Sequence, residues 1–144
     1  MVSTETEGSV GYLVKRVQQS LRRRCDAALR PTGLSMAQYV ALRALADLPE
    51  ASASDLARRC FITRQSLQDL LAGLRSAGLV PAAAPAPRGR ARALALTPTG
   101  RKRLAVGDAA VNGVDAAMVA DLTHVERRQM AAMLVRCAEN LEGA

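Results

Sequence analysis

Aromatic side chains are nearly missing from this 144-residue chain, which has no Trp, one Phe (Phe61) and two Tyr (Tyr12 and Tyr39). The β-branched and aromatic residues that favour sheets are scarce, while Ala and Leu dominate the apolar set, so the expectation is a mostly helical protein. A core this poor in aromatics packs thinly per helix and favours burial against a second subunit. Long apolar runs are absent as well. No stretch approaches the roughly 18–20 residues that span a bilayer, and MVSTETEGSVGYL lacks the basic patch and apolar core of a secretory signal. The expected location is cytoplasmic and nucleoid-associated, with no membrane partner. Three cysteines, Cys25, Cys60 and Cys137, are odd in number and widely spaced, so neither a disulfide framework nor a zinc site is expected. The single histidine, His124, has no nucleophile beside it. With no Gly-rich phosphate loop and no paired carboxylates, neither an enzyme nor a cofactor is expected.

What is present is arginine, and it is concentrated. Of 20 basic residues all but Lys15 and Lys102 are Arg, and the formal net charge is +7. Between Ala51 and Arg103 ten basic residues face only Asp55 and Asp69, a local net charge of +8; the rest of the chain is close to neutral. A field focused in this way is aimed at a polyanion.

The apolar positions Val10, Leu13, Val14, Val17, Leu21, Cys25 and Ala28 step by three and four, which predicts an amphipathic helix ended by Pro31 and Gly33. Residues 1–7 are polar and are expected to fray. Ser35-Met36-Ala37-Gln38 is a capping-box pattern that opens a second helix ending before Pro49. Ser52 to Asp55 repeats the signal and starts a short helix running to about Cys60, with Leu56 and Ala57 inward. After the break Phe61-Ile62, Thr63 caps a third helix whose inner stripe is Leu67, Leu70, Leu71 and Leu74; Gly78 ends it and Leu79-Val80 is expected to be extended.

A short helix, a tight turn and a longer helix form a helix-turn-helix, whose second helix lays its first turns on base edges in the major groove. Its outward residues are Thr63, Arg64, Gln65, Ser66, Gln68 and Asp69. Arg and Gln suit guanine and adenine edges, and Thr and Ser suit bases or phosphates. Pro81 to Pro87 cannot continue a helix. Arg88-Gly89-Arg90 then resembles a hairpin tip, with Arg92 following and 93–96 returning as a weak strand, which together would make a wing able to enter a minor groove. Thr97-Pro98 opens a long helix with interior Gly107 and Gly113, each calling for a kink or a close helix approach. Thr123-His124-Val125-Glu126 opens the last helix, striped by Met130, Met133, Leu134, Cys137 and Leu141. Cys60 and Cys137 suit buried apolar positions, whereas Cys25, beside Arg22 and Arg24, could carry a lowered pKa.

The segments LSMAQYVALRAL, SDLARRCFITRQSLQDLLAGLRSAGLV and RGRARALALTPTGR resemble the MarR family of bacterial transcriptional regulators, over roughly Val10 to Leu141. The resemblance implies a six-helix winged helix-turn-helix homodimer, mostly α with a small β-hairpin wing. It divides the chain into residues 1–34 (dimerisation helix), 35–97 (DNA-binding lobe) and 98–144 (helices completing the dimerisation region). It implies a repressor of a pseudo-palindromic double-stranded operator, released by a small phenolic or aromatic carboxylate effector. The DNA contacts expected are Ser54, Thr63, Arg64, Gln65, Ser66, Gln68, Asp69, Arg88, Arg90 and Arg92. Family pockets lie between the dimerisation helices and the DNA-binding lobe, where Tyr12, Arg16, Tyr39 and Arg43 are the aromatic and basic candidates; Tyr39 as core and the two arginines as ordinary surface charges is the competing reading. Family wings often carry Asp-x-Arg nine and seven residues before the Thr that opens the next helix; here Arg90 is kept but Arg88 replaces the Asp. Two other functions stay open: a thiol-based peroxide sensor on the same fold, and a non-specific architectural DNA binder.

Overall fold

The computed structural model describes residues 4–82 and 96–143, and the wing residues Arg88, Arg90 and Arg92 lie outside the described residues. Seven α-helices occur among the described residues: α1 (Thr4–Glu7), α2 (Val10–Leu29), α3 (Met36–Asp47), α4 (Ala53–Arg59), α5 (Arg64–Ser76), α6 (Pro98–Met118) and α7 (His124–Glu142). Six were anticipated. The seventh is the single turn α1, in the stretch expected to fray. A 3-10 turn, Arg30–Thr32, joins α2 to the loop before α3.

The helix starts follow from local chemistry. Ser35, Ser52 and Thr123 each accept a hydrogen bond from the third amide of their helix, while Gln38, Asp55 and Glu126 reach back to the cap amide. Thr63 and Thr97 cap α5 and α6 through Ser66 N and Gly100 N at 3.0 and 2.9 Å. Each such cap is worth about 1 kcal/mol. Accordingly α4 begins at Ala53, directly after its cap Ser52. At the far end of α5, Gly78 adopts φ +73°, a left-handed conformation that glycine takes without strain, and the helix stops there.

The core lies where α3, α4 and α5 meet the C-terminal end of α2 and the side of α6 that runs from Gly100 to Val114. Leu29, Leu42, Leu56, Leu67, Leu71, Leu74, Leu79 and Val80 are fully buried, and no polar or charged residue among those described is buried with them. Leu79-Val80 forms a bend rather than a strand. Its position is set from Thr97: Thr97 N donates to Leu79 O at 3.1 Å and Thr97 Oγ1 donates to Gly78 O at 2.6 Å. With Leu96 also buried, the chain leaves the core and re-enters it at one pinned point.

The two interior glycines of α6 have different reasons. A Cβ on Gly107 would stand 2.9 Å from the Tyr39 ring, so close approach of α3 requires its absence; at Gly113 nothing lies within 4 Å. The apolar stripe of α2 is split, with Cys25 and Leu29 buried but Val10, Leu13, Val14 and Val17 exposed. No residue of α7 is buried and α7 packs on no other described helix, leaving Met133, Leu134, Val135 and Leu141 exposed. Cys137 shares that exposure, contrary to the buried position expected of it. Among the described residues no helix is long and apolar enough to cross a membrane.

Candidate nucleic-acid interface

Helix α5 is anchored by its leucines and presents everything else. Leu67, Leu71 and Leu74 are buried, whereas Thr63, Arg64, Gln65, Ser66, Gln68 and Asp69 are all exposed on one rim. The spacing that places leucines at three- and four-residue steps inward places these polar residues outward. Some are pre-oriented: Thr63 Oγ1 donates to Ser66 Oγ at 3.0 Å, and Gln65 Nε2 donates to Asp69 Oδ1 at 3.2 Å. The free N–H groups at the start of α5 add partial positive charge beside Arg64. On α4, Ser54 is exposed, and Arg58 pairs with Asp55 at the helix surface. Arg101 and Lys102 extend the basic surface along the first turns of α6.

The four expected effector residues do not come together. Tyr39, only 7% exposed, donates its hydroxyl to Asp108 Oδ1 at 2.7 Å. Arg43 bonds Asp108 Oδ2 at 2.7 Å and Asp47 at 2.8 Å. The two bonds to Asp108 tie α3 to α6. Burial first, then the Asp108 hydrogen bond and charge, push the Tyr39 phenol well above its ordinary value. Tyr12 and Arg16 instead line a shallow groove on α2 with Lys15, Gln19, Ser20 and Arg23, in which neither Tyr39 nor Arg43 takes part. Asp108 escaped the sequence reading, although Leu104, Asp108 and Val111 fall at helical spacing and mark it as facing inward.

Cys25 is corrected more sharply. It is buried, and its thiol is pushed up by desolvation and by Asp115 and Asp26, with Arg24 opposing only in part. The lowered pKa required of a peroxide-sensing thiolate is not built here. Cys60 is half-buried and is likewise raised by burial, against a smaller contribution from Arg59. Among the described residues no group of three or more His, Cys, Asp or Glu could hold a metal ion.

A larger groove, of about 440 Å³, opens between α2 and the helix-turn-helix turn. Its floor includes Leu21, Met36, Val40, Ile62 and Leu70, and Arg22 and Arg59 stand at its edge. Phe61 borders it in an unusual state, with φ +57° and 92% exposure. It is the only non-glycine residue with positive φ among those described.

Capped helices around a leucine core and an exposed polar face on α5, the second helix of a helix-turn-helix, define a helix-turn-helix DNA-binding protein. Comparison with known proteins narrows this. A family model described as "MarR family" matches residues 32–91. The HTH-type transcriptional repressor Rv2887 of Mycobacterium tuberculosis is 36% identical over 128 residues, covering 89% of this chain and 92% of that protein. The chain belongs to the MarR family. Crystal structures of Rv2887 superpose with TM-scores of 0.73 in complex with DNA (35% identity, covering 90% of this chain and 98% of that one) and 0.72 with p-aminosalicylic acid (36% identity, 91% and 99%). The transcriptional regulator PA3341 superposes with a TM-score of 0.83 at 28% identity, covering 94% of this chain and all of that one.

Proposed function

We propose that this protein is a homodimeric, sequence-specific repressor of transcription that binds double-stranded DNA and is released by a small aromatic carboxylate. The observation that carries it is the capped, leucine-anchored helix α5, whose whole outward rim from Thr63 to Asp69 is free for base edges, in a chain of this family. Relatives crystallised with DNA, salicylic acid and p-aminosalicylic acid support both halves of the reading. Arg64 and Gln65 read bases, Ser54, Thr63 and Ser66 position the helix on phosphates, and Gln68 and Asp69 complete the rim. Arg88, Arg90 and Arg92 serve the flanking groove. The work is done by binding, without catalysis or cofactor, in the cytoplasm.

The dimer follows from the apolar surface. Val10, Leu13, Val14 and Val17 on α2, Met118 on α6 and Met133, Leu134 and Leu141 on α7 are exposed apolar residues at helical spacing, the kind of surface that marks a protein–protein contact. A second copy of the same face covers it, so residues 1–34 and 98–144 dimerise and 35–97 bind DNA. Two recognition helices are then about 34 Å apart, one DNA turn, and the operator is an inverted repeat.

Selection of bound fragments from random DNA, followed by mobility-shift titration over a salt series, tests this. The expected result is an inverted repeat, steep weakening with salt through counterion release, and release by salicylate. Arg64→Ala should cost about 1–3 kcal/mol and relax preference at one base position. Equal affinity for scrambled DNA would instead support the architectural reading.

A further inference from the structure

Resting on the reading of the chain as a sequence-specific repressor, we infer that Asp69 is a positioning residue for base reading. It holds the Gln65 amide so that the pair selects adenine over guanine at one position of each operator half-site.

Asp69 is out of place on a surface built for a polyanion. Between Ala51 and Arg103 the only acids are Asp55 and Asp69. Asp55 has a structural task, since it closes the capping box of α4 and pairs with Arg58. Asp69 forms no ion pair among the described residues, and its carboxylate accepts one hydrogen bond there, from Gln65 Nε2 at 3.2 Å. Its place is central. At about 100° per residue, Gln65 and Asp69 stand directly opposite the buried Leu67, Leu71 and Leu74, so they lead the exposed rim of α5. A carboxylate at that point opposes the attraction of the surrounding arginines for phosphates. What it contributes is geometric.

The chemistry of the pair fixes the amide. An ionised carboxylate only accepts hydrogen bonds, so the side of Gln65 that turns to Asp69 is its NH2 group. One N–H is then committed, and Oε1 remains with the other N–H on the free edge of the amide. That edge is a donor beside an acceptor. Adenine presents the complement in the major groove, with N7 accepting and N6–H donating, whereas guanine presents two acceptors, N7 and O6. Against guanine the fixed Oε1 would face O6, acceptor to acceptor. A Gln65 released from Asp69 can turn its NH2 group to guanine instead. The carboxylate therefore removes the alternative as well as favouring the match.

Location puts the pair where it can act. Gln65 lies two residues after the N-cap Thr63, in the first turn of α5, which is the part of a recognition helix that meets base edges. Gln65 and Asp69 are one helical turn apart, so the hydrogen bond forms within the helix itself and is in place before DNA arrives. The rotamer freedom of Gln65 is already restricted, which lowers the cost of ordering it at the interface.

The test is selection of bound fragments from a random duplex library by the full-length protein, then mobility-shift titration on the selected duplex and on copies with one base changed. Wild type should select an adenine in each half-site that Gln65→Ala no longer selects. Replacing that adenine by guanine should weaken wild-type binding about five- to hundredfold. Replacing it by 7-deazaadenine, which keeps N6 but lacks the N7 acceptor, should weaken binding about two- to tenfold. In Asp69→Ala the preference for adenine over guanine should fall to about twofold or less, with the other selected positions unchanged. Asp69→Glu still offers only acceptors one turn away and should restore the preference. Both side chains are exposed, so these variants keep the fold. If wild type selects no sequence, the repressor reading fails and this inference with it. If wild type selects an inverted repeat in which no adenine depends on Gln65, the inference alone is overturned. The same holds if Asp69→Ala tightens binding to the adenine and guanine duplexes by one common factor, because the carboxylate then acts by charge and not by position.

Discussion

Removing the Asp108 carboxylate should loosen α3 from α6. In Asp108→Ala the Tyr39 hydroxyl loses its 2.7 Å acceptor at a position only 7% exposed. A buried donor left unsatisfied costs about 1–3 kcal/mol. Arg43 loses a 2.7 Å pair but keeps Asp47, and its side chain is 39% exposed, so solvent screening holds that loss to about 1 kcal/mol or less. The expected total is about 1–4 kcal/mol. Asp108→Asn keeps an acceptor for Tyr39 and should cost nearer 1 kcal/mol. Urea unfolding at a fixed protein concentration reads these changes. Combining Asp108→Ala with Tyr39→Phe should cost much less than the sum of the two alone, because the second change removes the orphaned hydroxyl. The pH dependence gives an independent reading. Tyr39 holds its proton in the folded state where the unfolded chain, with a phenol near 10, has begun to lose it. Stability is therefore fully present below about pH 10 and falls as pH rises above it, and Tyr39→Phe should flatten that fall. An Asp108→Ala protein within about 0.5 kcal/mol of wild type, a change ordinary for a surface residue, with an unaltered alkaline limb, would refute the account of this network.

Gly100→Ala should unfold the wing base, because its Cβ would stand 2.0 Å from the Leu79 carbonyl oxygen, a backbone atom with no room to move; circular dichroism melting will show the loss. Gly113→Ala meets nothing within 4 Å in its own chain and should gain up to about 1 kcal/mol of helix propensity; a loss instead, read by sedimentation as dissociation, would place Gly113 against the second copy. The capping acids Asp55 and Glu126 are held below their ordinary values chiefly by hydrogen bonds from Ser52 and Thr123. Their contribution is present above the unfolded carboxylate range and is lost as pH falls through the lowered values, so Ser52→Ala and Thr123→Ala should reduce the acid sensitivity of melting. Arg90→Ala should weaken operator binding by about 1–3 kcal/mol in a mobility-shift titration, and an unchanged affinity would remove the wing from the mechanism.

The helices, their caps and the exposed polar rim of α5 were legible in the chain because each depends on residues three or four apart. Ser35 with Gln38, Ser52 with Asp55 and Thr123 with Glu126 close their boxes within one turn, and the leucines of α5 set which side faces out. No fold was needed to see those. The charge imbalance between the central segment and its flanks is likewise a property of composition. What the tertiary structure decided are pairings between distant positions. Asp108 meets Tyr39 and Arg43 from 69 and 65 residues away, a strut between α3 and α6. Cys25 lies buried with Asp115 near it, so its neighbouring arginines do not control its thiol. Gly107 and Gly113 are alike in sequence, yet only Gly107 meets another helix. The strain at Phe61 arises because packing α4 against α5 fixes a turn that one exposed ring must follow, whatever its own preference. Local hydrogen bonds can be counted along a chain, whereas burial, approach and strain exist only once the helices have been packed.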